Sequence, residues 1–164
     1  MTDILDPRQL RNALGRFATG ITIITTVDDG GHPVGLTANS FSTVSLDPPL
    51  VLWSLSGTAP SAPAFNACGH FAVNVLAADQ KAVSDRFARP GDKFAGLAWT
   101  PGAGGAPLLP GCLARFQCRA ATRHAGGDHT IHIGQVLSFD YGDGDPLLYY
   151  AGRYGIAHPH PDAA

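Results

Sequence analysis

The sequence predicts a mainly β fold, an antiparallel barrel that is closed or split, with a few peripheral helices. Short runs rich in β-branched residues are separated by clusters of Gly, Pro and Asp, as in all-β domains. The clusters at residues 28–31 and 126–128 are typical of hairpins, which connect antiparallel strands. The glycines at residues 102–105 lack both the GxGxxG spacing and a strand-to-helix context, which argues against a doubly wound parallel sheet.

The first predicted element is a helix. Asp6 suits the N-cap, Pro7 suits the first helical position, and Gln9 follows at capping-box spacing. Apolar residues continue at helical spacing until Gly20, which predicts the end of the helix.

Strands make up most of the remaining chain. Apolar or alternating runs predict them at residues 21–27, 33–39, 50–55, 71–76, 114–120, 129–140 and 147–150. Gly134 predicts a β-bulge, because the apolar phase shifts there. Residues 79–87 predict a second helix, and Pro60 and Pro63 predict a turn or short helix. Residues 90–110 are rich in Gly, Ala and Pro and predict an irregular excursion.

The composition is that of a folded chain with little net charge. Hydrophobic residues make up 45% of the 164 residues and charged residues 15%, which excludes general disorder. A formal net charge of -2 predicts no binding to nucleic acid or to an anionic membrane. No apolar run reaches the roughly 18 residues of a membrane span, so we expect a cytoplasmic protein. The three cysteines form no CxxC motif, so we expect them to be thiols in the core. We expect one domain over residues 1–157 and a flexible tail over residues 158–164.

Two polar segments are candidates for ligand binding. Short hydroxyl and amide side chains at residues 37–45 and 54–61 allow backbone N–H groups to approach a heterocycle or a phosphate closely. By composition alone, a segment like the first is more often a solvated loop. The hydroxyl residues of the second segment could simply form the N-cap turn of a helix.

Four motifs together carry a family resemblance. In chain order they are GLTANSFSTVSLDPPLVLWSLSGTAPSAPAF, FAVNVLAADQKAVSDRFA, GDHTIHIGQV and PLLYYAGRYG. Across residues 7–157 the chain resembles the short-chain flavin reductases, which are the reductase components of two-component flavin-dependent monooxygenases. The resemblance implies an FMN-binding, Greek-key split β-barrel that forms a homodimer. It also implies that NADH or NADPH reduces FMN or FAD, which then passes to a partner monooxygenase.

The resemblance further implies which residues form the site. Carried over by position, the motifs place the following residues around the flavin: Thr37, Ala38, Asn39, Ser40, Ser45, Ser54, Leu55, Ser56, Thr58, Ser61, Asn74, Val75, Leu76, Arg86, Phe87, His129, Arg153 and Tyr154. His129 is the catalytic candidate, on the nicotinamide side of the flavin. For the phosphate, the sequence offers no strongly basic cluster beyond Arg86, Arg89 and Lys93. The choices between FMN and FAD, and between NADH and NADPH, therefore stay open.

Hydride transfer requires positioning more than acid–base chemistry, because the flavin supplies the redox chemistry. The lack of a Ser-His-Asp or paired-carboxylate signature is therefore expected. His129 and His132 lie three residues apart on one predicted strand, so they point to opposite faces, and we expect no metal site. Trp53 lies in an apolar run that favours the core or a dimer interface.

Two other functions remain open from the residues. The chain could hold FMN tightly as a prosthetic group and act alone on a small molecule. It could also be a non-catalytic module that binds flavin or haem, in which case replacing His129 would change little. Flavin that survives dialysis favours the first alternative, and ligand binding without turnover favours the second.

Overall fold

The computed structural model describes residues 5–163. The helices are α1 (Pro7–Leu14), α2 (Ala62–Ala67) and α3 (Lys81–Ala88), with single 3-10 turns at Ala78–Gln80 and Ala103–Gly105. The strands are β1 (Thr19–Gly20), β2 (Thr22–Val27), β3 (Pro33–Ala38), β4 (Ser42–Leu46), β5 (Pro49–Ser56), β6 (His70–Val75), β7 (Thr100–Pro101), β8 (Pro107–Leu108), β9 (Ala114–Gly126), β10 (His129–Tyr141), β11 (Leu147–Tyr150) and β12 (Arg153–Ile156). The paired strands run antiparallel. A mainly β, antiparallel fold with few helices is confirmed.

Seven strands form the main sheet, in the order β3-β2-β6-β9-β10-β5-β4. The long hairpin of β9 and β10 lies at its centre, with β6 on one side and β5 on the other. The register shifts between Ile133 and Gly134, which confirms the predicted bulge. A Cβ at Gly134 would collide with the ring of Phe71, so the glycine allows that ring to pack against the hairpin.

A short connection brings the two edges of this sheet together. The edge strands are β3 and β4, and only residues 39–41 separate them along the chain. The Ser40 hydroxyl donates to the Ser54 carbonyl at 3.1 Å and accepts from the Ser54 N–H at 2.9 Å. The sheet therefore curls, although over residues 5–163 no ladder of hydrogen bonds joins β3 to β4.

Aromatic side chains fill the inside of the curled sheet. Trp53 is fully buried and packs edge-on against Phe65 of α2, with ring centroids 4.9 Å apart. It also stacks on His132, whose ring centroid lies 4.7 Å away. Trp53 is thus a core residue. Its sequence context favoured either the core or a dimer interface. On the outer face of the sheet, Phe87 of α3 is buried in one cluster with Ile23 of β2.

The main differences from the predicted elements concern α1, β4 and β12. Helix α1 ends at Leu14 with Gly15 as its C-cap, well before Gly20, because glycine is a poor helix former. Residues 42–46 form β4, although their hydroxyl-rich pattern predicted a loop. As an edge strand, β4 is mostly exposed and so has no apolar alternation to reveal it. Strand β12 was not predicted either, because its four residues carry a single β-branched side chain.

The ends of the chain are less regular. Residues 157–163 contain turns but no helix or strand. Residues 1–4 and 164, which belong to the predicted domain and tail, lie outside the described residues. Among the helices described, none combines the length and the hydropathy that a membrane crossing requires.

Candidate functional site

A cleft of about 770 Å³ opens between α1, the β3–β4 connection and the β11–β12 turn. We call it the α1 cleft, and its walls include Arg11, Arg16, Phe17, Thr19, Asn39, Ser40 and Tyr149. A smaller cavity of about 200 Å³ adjoins it, since Asn39 and Tyr149 line both. Thr37 and Tyr154 line the smaller cavity. The structure therefore brings together four predicted site residues from two distant motifs.

The polar side chains on the β3 side of the cleft have different partners. The Thr37 hydroxyl donates to the Ser84 carbonyl at 2.7 Å and thereby holds β3 against α3. The Ser40 hydroxyl is engaged by the backbone of Ser54. The Asn39 side chain is exposed and makes no hydrogen bond within residues 5–163. Asn39 is thus the amide of this wall that is available to a ligand.

A network between α3 and β12 fixes part of the lining of the smaller cavity. The Tyr154 hydroxyl lies 3.0 Å from the Ser84 hydroxyl and donates to the Asp85 carboxylate at 2.8 Å. Lys81 bonds to the same carboxylate at 2.7 Å. Hydrogen bonds from Lys81 and Tyr154 lower the pKa of Asp85, and burial raises the pKa of Tyr154. The phenol is therefore held protonated and in a fixed orientation.

A second group of predicted residues lies where β5 ends and β10 begins. His129 is the direct cross-strand partner of Ser56, and the Ser56 and Thr58 hydroxyls lie 3.1 Å apart. His129 Nδ1 bonds to the Asp128 carboxylate at 2.6 Å, and this bond lowers the pKa of Asp128. Ser54 connects this group to the α1 cleft, because its backbone bonds to Ser40.

Several other predicted residues are enclosed by the protein itself. Buried positions include Ala38, Leu55, Asn74, Leu76 and Phe87, and Val75 packs against the interior. The Asn74 amide donates to the Ile23 carbonyl at 3.1 Å and accepts from the Leu109 N–H at 2.9 Å. At most of these positions little side-chain surface is open to a ligand, so a flavin beside them would meet mainly backbone groups. Their place beside a flavin stays a prediction.

The remaining predicted residues lie apart from the α1 cleft. Ser45 is on β4, paired with Leu50, and Ser61 lines a separate cavity. Arg86 donates to the Ala95 carbonyl at 3.2 Å. Arg153 lines a cavity that adjoins the α1 cleft at Arg16.

Sequence reasoning missed the part of the cleft contributed by α1 and β11. Arg11, Arg16 and Phe17 line it and belong to no local pattern that points to a ligand, whereas Tyr149 lies in the fourth motif but was not assigned to the site. Their only signal is spatial, since the β11–β12 turn packs on the end of α1 through an Ala151 N–H bond to the Gly15 carbonyl. Over residues 5–163 no group of three or more His, Cys or Asp side chains is arranged to hold a metal ion.

The chain is similar to proteins of known name along nearly its whole length. The family model of the flavin reductase like domain matches residues 14–158. The chain is 51% identical over 148 residues to the FMN reductase (NADH) SmoA of Agrobacterium fabrum, covering 90% of this chain and 84% of that protein. It is 46% identical over 159 residues to the flavin-dependent monooxygenase reductase subunit HsaB of Rhodococcus jostii, covering 96% and 81%.

A solved structure has the same fold. The NADH:FAD oxidoreductase SgcE6 of Streptomyces globisporus, in complex with NAD and FAD fragments, superposes with a TM-score of 0.88 at 37% identity. The match covers 99% of this chain and 100% of that chain. The family model covers most of the chain, including both groups of polar residues described above. The chain therefore belongs to the flavin reductase like domain family.

Proposed function

We propose that this protein transfers hydride from a nicotinamide nucleotide, NADH or NADPH, to FMN or FAD and supplies the reduced flavin to a partner monooxygenase. The observation that carries the proposal is the α1 cleft, whose walls contain motif residues Asn39 and Ser40 in a chain of this family. Relatives named as NADH-dependent FMN reductases and as monooxygenase reductase subunits favour NADH and the monooxygenase partner.

The residues present fit a flavin. A cleft of about 770 Å³ is within the usual size range of small-molecule sites. Phe17 and Tyr149 offer aromatic surface for a planar ring, and the free amide of Asn39 can both donate to and accept from a heterocycle edge. The Thr19 hydroxyl, also in this wall, is buried without a hydrogen-bond partner in the described chain.

The side chains act mainly by positioning. A bound flavin supplies the electron chemistry. Asn39 orients the ring edge, while the network of Ser84 and Asp85 keeps Tyr154 in place as a wall. His129 would lie on the nicotinamide side and help to position that ring against the flavin for hydride transfer.

We further propose that the chain forms a split barrel and a homodimer and that it is cytoplasmic. The curled sheet joined by residues 39–41 is a split barrel of Greek-key type, which the Ser40–Ser54 bonds support. A homodimer is supported by large apolar side chains that are exposed on one chain, including Phe17 at 80% and Leu46 at 95%. Free cysteines at all three positions fit the reducing cytoplasm. Light scattering of the purified protein tests the dimer, and a monomer at all concentrations contradicts it.

The activity is tested by crossing both nucleotides with both flavins. Anaerobic addition of NADH or NADPH to the protein with FMN or FAD should bleach the flavin absorbance catalytically. No nucleotide oxidation with either flavin would overturn the proposal. Replacing His129 with Ala should raise the nicotinamide KM more than it raises the flavin Kd, and the opposite pattern would show that the nicotinamide lies elsewhere.

A further inference from the structure

Three arginines line the α1 cleft and the cavity that adjoins it. Arg11 and Arg16 line the cleft itself, and Arg16 and Arg153 line the adjoining cavity of about 560 Å³. No acidic side chain lines either space, and within residues 5–163 none of the three arginines forms an ion pair. In a chain with a net charge of -2, this is a local excess of positive charge.

The fold holds these cations together through the β11–β12 turn. The Ala151 N–H bonds to the Gly15 carbonyl at 2.9 Å, which fixes the turn on the end of α1. Ala151 has φ +49° and Gly152 has φ +77°, so a non-glycine residue occupies the left-handed region at this contact. Such strain is uncommon away from functional sites. Its effect here is to place Arg153 beside Arg16.

Stabilisation of helix α1 does not account for all three arginines. Arg11 lies in the last turn of α1, where a cation interacts favourably with the helix dipole. Arg153 belongs to β12 and gains nothing from that dipole. In addition, two of the three basic residues that the sequence offered for a phosphate are already engaged. Lys93 bonds to the Gly35 and Phe87 carbonyls at 3.2 and 2.9 Å, and Arg86 bonds to the Ala95 carbonyl.

We propose that Arg11, Arg16 and Arg153 form a binding site for the diphosphate of a dinucleotide, at the end of the α1 cleft. Guanidinium groups bind phosphate oxygens in a bidentate manner, and three of them more than neutralise the two negative charges of a dinucleotide's diphosphate. The aromatic and amide groups beside them suit the ring to which the diphosphate is linked. FAD and the nicotinamide dinucleotides share this group, and the assignment to either one rests on the proposed function.

Binding of ADP tests the site without any need for hydride transfer. Titration calorimetry compares the unaltered protein with the double variant Arg11→Gln/Arg16→Gln and with Arg8→Gln. Arg8 is on the same helix as Arg11 but does not line the cleft, so its replacement controls for the loss of one positive charge from α1. Arg8, Arg11 and Arg16 are all exposed, so we expect all variants to fold, which circular dichroism verifies.

We expect ADP to bind the unaltered protein and the Arg8→Gln variant equally, and the double variant at least tenfold more weakly. Equal ADP affinity in all three proteins, or no ADP binding to the unaltered protein, would overturn the proposal. Because this result does not depend on turnover, a protein that binds ADP as expected but oxidises no NADH would refute the proposed function and leave the site intact.

Kinetics then distinguish the two sources of the diphosphate. With riboflavin, which has no phosphate, as the acceptor, a raised KM for NADH in the double variant identifies the nicotinamide dinucleotide. A raised Kd for FAD with an unchanged Kd for riboflavin identifies the flavin. If the double variant alters neither value, the site does not serve a dinucleotide and the proposal is wrong.

Discussion

Two asparagines that belong to the same family resemblance lie in opposite settings. In the packed sheet, Asn74 is fully buried, and both ends of its amide bond to backbone groups of neighbouring segments. In the α1 cleft, Asn39 is exposed and its amide has no partner within the described chain. The packed sheet thus uses its polar groups to hold the fold, whereas the cleft leaves them available. Substitutions in the first region should alter stability, and substitutions in the second should alter ligand affinity.

The largest expected effect is at Phe65 of α2, which packs against the inside of the sheet. This ring is fully buried and packs edge-on against Trp53. We expect Phe65→Ala to lower the free energy of unfolding by about 3–5 kcal/mol, because the side chain is lost and a cavity remains. Urea denaturation followed by tryptophan fluorescence measures the change. Phe65→Leu leaves a smaller cavity and should cost about 1–2 kcal/mol. Equal costs for the two variants would contradict tight packing around this ring.

The two asparagines provide the most direct test of the comparison. Asn74→Ala removes the partner of the Leu109 N–H and of the Ile23 carbonyl, so we expect a loss of stability of about 2–4 kcal/mol. Asn39→Ala should change stability by less than about 0.5 kcal/mol and should raise the flavin Kd several-fold. Urea denaturation and quenching of flavin fluorescence measure the two quantities. If Asn39→Ala destabilised the protein as much as Asn74→Ala, the two regions would not differ in this way.

The same contrast explains what could be predicted from the sequence. In β5, Val51, Trp53 and Leu55 alternate with less buried neighbours, and this period of two reports directly on burial. The bulge at Gly134 could be predicted because it breaks such a period. Where an element is exposed on both faces, as in β4, the period is absent and the strand was missed.

The cleft could be predicted only in part, because it is assembled from remote segments. Asn39 and Ser40 belong to a motif, so a family resemblance could indicate them. Arg11 comes from α1 and Phe17 from the segment after it, and only tertiary contacts bring them to the same surface as Asn39. The amide of Asn74 shows that a motif residue can also hold the fold, since both its ends bond to the backbone.

The last expected effect is confined to acidic pH and concerns His132, where the packed sheet encloses a titratable group. Its ring is 2% exposed and stacks on Trp53, and its Nε2 has no partner in the described part of the chain. Burial, with a smaller contribution from the charge of Arg123, lowers its pKa from 6.5 to about 4. The unfolded chain therefore binds a proton at a higher pH than the folded protein does. The stability that neutral His132 provides is complete above pH 6.5 and declines as the pH falls toward 4, by at most about 3 kcal/mol.

The contribution of His132 to stability is lost at a higher pH than the contributions of the carboxylates. Asp28, Asp85 and Asp128 have a pKa below the ordinary 3.8, so their contributions are lost only at lower pH. We expect His132→Phe, which keeps a ring against Trp53, to remove most of the decline in urea stability between pH 6.5 and 4.5. His160→Gln, at an exposed position after β12, should leave the decline unchanged. A decline that persists in His132→Phe would mean that the buried imidazole is not its source, and that the packed sheet tolerates the charge.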